Sequence, residues 1–238
     1  MLRAPRGTGT ITAGLLAGMM VLGGGTLAQA STAAFGNTDR ACLASFQKPE
    51  TGLARKSVET TINNKKSSSE IKTFARSVDG FKPSAKGRQL GLAHSRFAYN
   101  LRIQLASKRI EGRRCFGVRK VGVELALVRS EIFIDKKYRP GSCAYKAILA
   151  HEREHVAINE RVWDQYSKHI EAEVARLAAD IKPFYGSRSD KASKMVSERL
   201  SRELKPLLDQ VNETRAEENS RIDSEKSYRE VRARCVHW

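Results

Sequence analysis

The chain lacks, after residue 30, any apolar run long enough to cross a membrane. A membrane-spanning helix needs about 20 predominantly apolar residues, so we expect no transmembrane segment beyond residue 30. A Cys-x-x-Cys pair is also missing, which argues against a zinc site built from cysteines. Glycine and proline are absent from Ala144 to Ile181, so neither of the residues that most disfavour a helix occurs there.

Acidic residues are few relative to basic ones. The chain has 26 Asp and Glu against 43 Lys and Arg, and its formal net charge is +17. Such a field attracts anionic partners. Outside the cytoplasm such partners would be anionic surfaces of the cell envelope or acidic proteins, and we expect no nucleic-acid partner. Solvation of long helices is an alternative use of the same charges.

The first thirty residues differ from the rest of the chain. Arg3 and Arg6 precede an apolar, Gly-rich run over residues 11–27, which ends in Ala28-Gln29-Ala30. This order is typical of a secretory signal peptide that is cleaved after its last small residue. We therefore expect residues 31–238 to form a single domain that is periplasmic or secreted. An uncleaved membrane anchor is the alternative.

Four cysteines remain in the mature chain, namely Cys42, Cys115, Cys143 and Cys235. An even number in an oxidising compartment predicts two disulfides. Four cysteines allow three pairings. We favour Cys115 with Cys143 and Cys42 with Cys235, and the other pairings stay open.

Residues 31–140 are expected to be mainly β. Apolar and polar side chains alternate over residues 97–105 and again over 121–127, which predicts strands with one buried face. A turn is predicted at Glu111-Gly112, and Ile132-Phe133-Ile134 predicts a short third strand. Ser68 or Ser69 is expected to cap a short helix that precedes these strands. Sequential hairpins of this kind predict an antiparallel sheet.

Residues 141–238 are expected to be helical. Ser142 is a candidate N-cap, and apolar residues keep helical spacing up to Ile181. Pro183 ends this helix, and a second one is predicted from residue 190 to about residue 231, with a kink allowed at Pro206. The predicted fold class is therefore α+β, an antiparallel β-sheet followed by a long antiparallel helical hairpin.

The segment His151-Glu152-Arg153-Glu154-His155 carries the predicted chemistry. Its two histidines lie four residues apart, so both imidazoles occupy one helix face and can bind the same Zn²⁺ ion. In zinc peptidases with this pattern, the glutamate takes a proton from a water that the zinc has activated. We predict His151 and His155 as zinc ligands and Glu152 as the catalytic base. A solvated helix face with incidental histidines is the alternative.

A catalytic zinc site needs a third protein ligand. In an antiparallel helical hairpin, the residues that face the motif lie near position 219 of the second helix. Acidic residues cluster around this level, namely Glu217, Glu218, Asp223 and Glu225. We regard Glu218 and Asp223 as the leading candidates for the third ligand, with ordinary surface charge as the alternative.

The other histidines are weaker candidates for ligands. At the rise of an α-helix, His169 lies about 21 Å along the axis from His155 and cannot share its metal. His94 precedes the first strong strand, and His237 lies near the C-terminus.

Several segments of the mature chain recur together in one protein family. They include Ser69-Glu70-Ile71-Lys72, the alternating strand over residues 97–105, a strand bearing Cys115, the segment Ala150 to His155, and Ile222-Asp223-Ser224-Glu225-Lys226-Ser227-Tyr228. In these segments the chain resembles a bacterial family of predicted secreted zinc-dependent proteases, a domain of unknown function with an HExxH helix. In its closing segment the family has Asp, then Thr three residues later, then a His-Gly pair. This chain keeps Asp223, has Lys226 at the Thr position and has no His-Gly pair.

The resemblance implies a zincin-like metalloprotease fold and peptidase activity. His151, Glu152 and His155 carry over directly, and Asp223 carries over as a matched position. We therefore predict a periplasmic or secreted zinc-dependent metallopeptidase that acts on a peptide or protein substrate. The alternative is a non-catalytic, basic binding protein of the cell envelope, in which the histidines hold a structural or vestigial metal.

Overall fold

The computed structural model of the protein describes residues 37–78 and 90–238. The predicted signal peptide, residues 1–30, lies outside the described residues. In chain order the elements are α1 (Asn37–Leu43), β1 (Glu50–Lys56), β2 (Thr61–Asn63), α2 (Ser68–Ser77), β3 (Gly91–Ile110), β4 (Arg113–Ile134), α3 (Cys143–Asp180), β5 (Phe184–Tyr185), α4 (Ser189–Ile222) and α5 (Glu225–Ala233). The expected combination of a sheet with long helices is confirmed.

Strand β4 is the centre of the sheet. It pairs with β3 along its whole length in the antiparallel direction, and two register shifts interrupt that ladder. The predicted turn at Glu111-Gly112 joins the two strands, and both of its residues have positive φ, of 48° and 78°. Positive φ at both central residues is characteristic of the type I′ turn, whose twist suits a hairpin. The segment Ile132-Phe133-Ile134 is the end of β4 and not a separate strand.

The prediction of an antiparallel sheet is wrong. Strands β1 and β2 both pair with β4 in the parallel direction, for instance Leu53 with Val123 and Ile62 with Ile132. Parallel pairing needs a long connection between partners, and here α2 and β3 lie between β2 and β4. Neither β1 nor β2 was expected from the sequence. The two-residue strand β5 pairs with β4 in the antiparallel direction.

Helices α3 and α4 cover one face of the sheet. The predicted N-cap is confirmed, because the hydroxyl of Ser142 accepts a hydrogen bond from the backbone N–H of Tyr145 at 3.2 Å. Contacts between the two helices run in opposite order along them, with His155 beside Asn219 and Tyr166 beside Thr214. Helix α4 continues through Pro206 but ends at residue 222, earlier than expected, and α5 begins after a break.

The main core lies between these helices and β4. Alternate residues of β4 point into it, and the helices contribute residues three or four positions apart, as period-2 strands and period-3.6 helices require. Its fully buried members include Val121, Leu125, Val162, Val174, Leu200 and Leu204. A smaller cluster joins α2 to the other face of the sheet through Ile71, Ala75, Leu92 and Phe133. Helix α2 is capped by Ser67, one residue before the predicted positions.

All four cysteines form disulfides, but the favoured pairing is wrong. Cys42 pairs with Cys115 and Cys143 pairs with Cys235. Cys115 lies near the start of β4, where α1 reaches the sheet, far from the start of α3. Because α4 and α5 return alongside α3, they bring the C-terminal segment back to Cys143. Within residues 37–78 and 90–238, no helix is long and apolar enough to cross a membrane.

Candidate metal centre

The first half of α3 carries the two histidines of the motif on its inner face. His151 and His155 are 5% and 8% exposed, and their ring centroids lie 4.9 Å apart. This proximity follows from the four-residue spacing, which places side chains one helical turn apart. Apolar neighbours on the same helix, such as Ile148 and Val156, pack against β4 and fix this face of α3 against the sheet.

Asp223 approaches the histidines from the break between α4 and α5. It is the C-cap residue of α4, and Ser224 caps α5 immediately afterwards. Its Oδ1 atom lies 3.4 Å from His151 Nε2 and 3.2 Å from His155 Nε2. One ligand atom from each of the three side chains lies within 4.8 Å of the other two. The Asp223 side chain is 36% exposed, so the group opens to solvent on this side.

The side chains of this group favour the binding of a proton or a cation. Burial opposes the charged form of His155, but hydrogen bonds and negative charge from Asp223 and Glu152 raise its pKa to about 9. Burial acts to raise the pKa of Asp223, but hydrogen bonds from His151, His155 and Tyr228 hold it well below its usual range. A nitrogen lone pair that faces a carboxylate oxygen would be repelled, so each of these two contacts requires a proton on the ring nitrogen or a cation between the two atoms.

The distances from Asp223 Oδ1 to the two imidazole nitrogens fit a metal ion. Zinc binds imidazole nitrogen and carboxylate oxygen at about 2.0–2.1 Å, which places neighbouring ligand atoms of a tetrahedron about 3.4 Å apart. The two His–Asp distances of 3.4 and 3.2 Å match this value. His151, His155 and Asp223 thus form a possible metal-binding triad, and their donor set suits a borderline-soft cation that accepts both nitrogen and oxygen.

Glu152 is buried beside this triad, at 5% exposure. Burial raises its pKa to about 7, against the opposing effect of His155 and His151, and the backbone N–H of Ala93 in β3 donates to its carboxylate. The same carboxylate lies in close contact with Gly91 at the start of β3. A Cβ atom placed on Gly91 would lie 2.5 Å from Glu152 Oε1 and 2.8 Å from Ile148 Cγ2. Strand β3 therefore holds Glu152 in place through a glycine contact and a backbone hydrogen bond.

Replacing Gly91 with alanine tests this contact. Because the added methyl would overlap Glu152 and Ile148, we expect Gly91→Ala to lower the free energy of unfolding by about 1–3 kcal/mol, as overpacking does. The matched control is Gly52→Ala in β1, where a Cβ meets nothing within 4 Å, and a change of about 0.4–1 kcal/mol in the stabilising direction is expected. Denaturant unfolding of both variants measures this. Equal stability of the two would show that Glu152 is not confined by β3.

The other predicted ligands lie elsewhere. Glu218 does not join the triad, because its carboxylate forms an ion pair with Arg161 of α3. Glu217 pairs with Arg221 on the surface of α4. His94 lies against Phe74 of α2, with ring centroids 5.2 Å apart. His169 lies near Tyr166, with ring centroids 5.8 Å apart, about four helical turns beyond His155 on α3.

The sequence patterns did not indicate the polar residues that surround this centre. Asn219 contacts His155, and Asn159 and Arg215 contact Asn219 in turn. Asn159 lies four residues after His155, and Asn219 lies four residues before Asp223, so a search for polar side chains one helical turn from each ligand would have found both. Tyr228 donates its hydroxyl to Asp223 Oδ1 at 2.7 Å. Its role depends on the break before α5, which helical periodicity alone did not indicate.

Comparison with protein-family models, curated proteins and solved structures gave no match for the chain.

Proposed function

We propose that the protein is an exported zinc-dependent peptidase, in which His151, His155 and Asp223 hold the metal and Glu152 is the general base. The observation that carries this proposal is the convergence of two imidazoles and one carboxylate from different helices, with atoms 3.2 and 3.4 Å apart, beside a buried glutamate. Buried ionisable groups are costly unless paired or used. Their concentration here supports a functional site.

Three protein ligands are the number expected of a catalytic zinc site, because a structural site is closed by a fourth. The exposed side of Asp223 supports an open position that a substrate can reach. Zinc held there would supply Lewis acidity, which polarises a peptide carbonyl and lowers the pKa of water. The donor set of two imidazoles and a carboxylate is one that catalytic zinc sites use.

Glu152 would perform the proton transfers. Its carboxylate takes a proton from the attacking water and delivers it to the leaving amine nitrogen of the cleaved peptide bond. The N–H of Ala93 and the contact with Gly91 orient this carboxylate from the strand side. A structural metal site would not need an acidic side chain buried at this position, so Glu152 favours the peptidase over a structural metal.

Export is supported by the cysteines and by the N-terminal sequence. Both disulfides form between distant parts of the chain, and such bonds persist in oxidising compartments. The signal-peptide pattern of residues 1–30 is consistent with that location. We therefore propose a periplasmic or secreted location, with a peptide or protein as the substrate.

A basic binding protein of the cell envelope remains the second candidate. The observation that favours it is the net charge of +17, which attracts anionic surfaces. In that case the three ligands would hold a structural or vestigial metal. The two functions differ in whether Glu152 has a chemical task.

Removal of the metal tests the proposal. Purified mature protein is expected to hydrolyse an unfolded protein substrate, to lose this activity with a chelator, and to regain it when zinc is added in stoichiometric amount. Peptide fragments are resolved by mass spectrometry, and heat-inactivated protein is the control for contaminating proteases. Zinc bound without hydrolysis of any substrate would favour the binding protein. No bound zinc at all would overturn both the peptidase and the metal site.

A further inference from the structure

A chain of hydrogen bonds runs from His155 away from the metal side, across the contact between α3 and α4. His155 Nδ1 lies 2.7 Å from Asn219 Oδ1. The amide nitrogen of Asn219 donates to Asn159 Oδ1 at 3.0 Å and to the carbonyl of Arg215 at 2.6 Å. The guanidinium Nε of Arg215 donates to the same Asn159 oxygen at 3.1 Å. Two side chains, those of Asn219 and Asn159, thus connect His155 to the guanidinium of Arg215.

The direction of every hydrogen bond in this chain follows from Arg215. A guanidinium donates and cannot accept, so the atom of Asn159 that faces it is the carbonyl oxygen. Asn219 must then donate to that oxygen, which turns its own carbonyl oxygen towards His155. His155 can meet this acceptor only with a protonated Nδ1. The identity of each amide atom is therefore set by the network and not by a free choice of rotamer.

We infer that Asn219, held by Asn159 and Arg215, is a positioning residue that fixes His155 as the Nδ1–H tautomer and so presents its Nε2 lone pair to the metal. This inference rests on the proposed function, because it assigns the network a task at the same site. Histidine ligands of metals generally donate their second ring N–H to an outer partner, which sets the tautomer and the ring orientation. Here that partner is a neutral amide.

The burial of Arg215 agrees with such a task. Its guanidinium lies over the ring of Phe97 at 4.5 Å and donates to the carbonyl of Ser95 in β3. Arg215 is partly buried, and this burial lowers its pKa to about 10. The guanidinium therefore loses part of its hydration, and its acceptors here are neutral oxygens. An apolar side chain would join α4 to β3 without this cost. An apolar residue could not, however, donate the hydrogen bond that Arg215 gives to Asn159 and that fixes the direction of the network.

The test compares two replacements of Asn219 with a control on the same helix. Asn219→Leu keeps the size but removes the acceptor, and we expect zinc affinity to fall about 10–100-fold, as loss of an outer partner does. Asn219→Asp keeps an oxygen facing Nδ1 but loses the N–H groups donated to Asn159 and to the Arg215 carbonyl. Because the acceptor itself is retained, its affinity is expected to stay within about tenfold of the wild type. Ser220→Ala, an exposed neighbour whose hydroxyl contacts only the backbone of Glu217 in the described chain, should leave affinity unchanged.

Zinc affinity is measured by competition with a chromophoric chelator, and the tautomer by the ¹⁵N and Nδ1–H resonances of His155 in the zinc-loaded protein. The slowly exchanging Nδ1–H signal is expected in the wild type and in Asn219→Asp and should be lost in Asn219→Leu. If Asn219→Leu does not fold, Asn219→Ala removes the acceptor without added bulk. Unchanged affinity in Asn219→Leu and in Asn219→Ala, which both lack the acceptor, would overturn the inference. Absence of zinc from the wild type would instead overturn the proposed function on which it rests.

Discussion

Glu152→Gln is expected to lower the rate of peptide hydrolysis by about 10²–10⁴-fold, the usual contribution of a positioned general base. The amide has the same shape but cannot take a proton from water. Zinc should stay bound, because Glu152 lies beside the triad of His151, His155 and Asp223 and is not part of it. The measurement is the initial rate of cleavage of an unfolded substrate, with zinc content determined on the same samples.

The matched control for this variant is Glu154→Gln. Glu154 lies two residues further along α3 and is exposed, so the change removes the same charge from the same helix without touching the site. Its activity should equal that of the wild type. Burial disfavours the charged carboxylate of Glu152, so the neutral amide should not destabilise the fold. Retention of activity within about tenfold in Glu152→Gln would contradict its role as the base.

Asp223→Ala is expected to lower zinc affinity by more than about 100-fold. The variant removes a ligand, and this should weaken zinc binding more than the loss of an outer hydrogen-bond partner, which costs about 10–100-fold. Its carboxylate is the atom group on which both histidines converge. The two histidines alone leave a tetrahedral ion with two protein ligands, fewer than natural zinc sites use. Chelator competition measures the affinity, and unfolding without zinc reports any separate effect on stability.

Glu218→Ala is the control that separates the two predicted third ligands. Glu218 pairs with Arg161 at the surface, and exposed ion pairs contribute about 0–1 kcal/mol to stability. Its removal should therefore change neither zinc affinity nor activity. A loss of zinc in Glu218→Ala together with normal affinity in Asp223→Ala would assign the third ligand to Glu218 and require a rearrangement of α4.

The helices could be predicted well from the sequence because their apolar spacing and end signals are local. Ser142 caps α3 as expected, and the facing level near position 219 is the level at which α4 meets His155. The break after α4 was missed, since helical spacing continues through it. Its signal is Ser224, whose hydroxyl accepts from the N–H of Ser227 and starts α5. This break places Asp223 at a helix end, where its carboxylate can turn towards α3.

The sheet could be predicted only where side chains alternate. Strands β3 and β4 do so, whereas β1 contains a single large apolar residue, Leu53, and β2 spans three residues. Such strands join a sheet mainly through backbone hydrogen bonds to β4, which leave no pattern in the side chains. The disulfide pairing failed for a related reason. It depends on where α1 and the C-terminal segment lie, and neither position is encoded by local spacing.

The zinc centre is tested most directly by X-ray absorption at the zinc edge of the purified mature protein, with total zinc measured on the same sample. One zinc per chain is predicted, with nitrogen and oxygen neighbours at about 2.0–2.1 Å from His151, His155 and Asp223 and with no sulfur neighbour. A sample without stoichiometric zinc, or a neighbour at about 2.3 Å that marks a thiolate, would contradict this assignment.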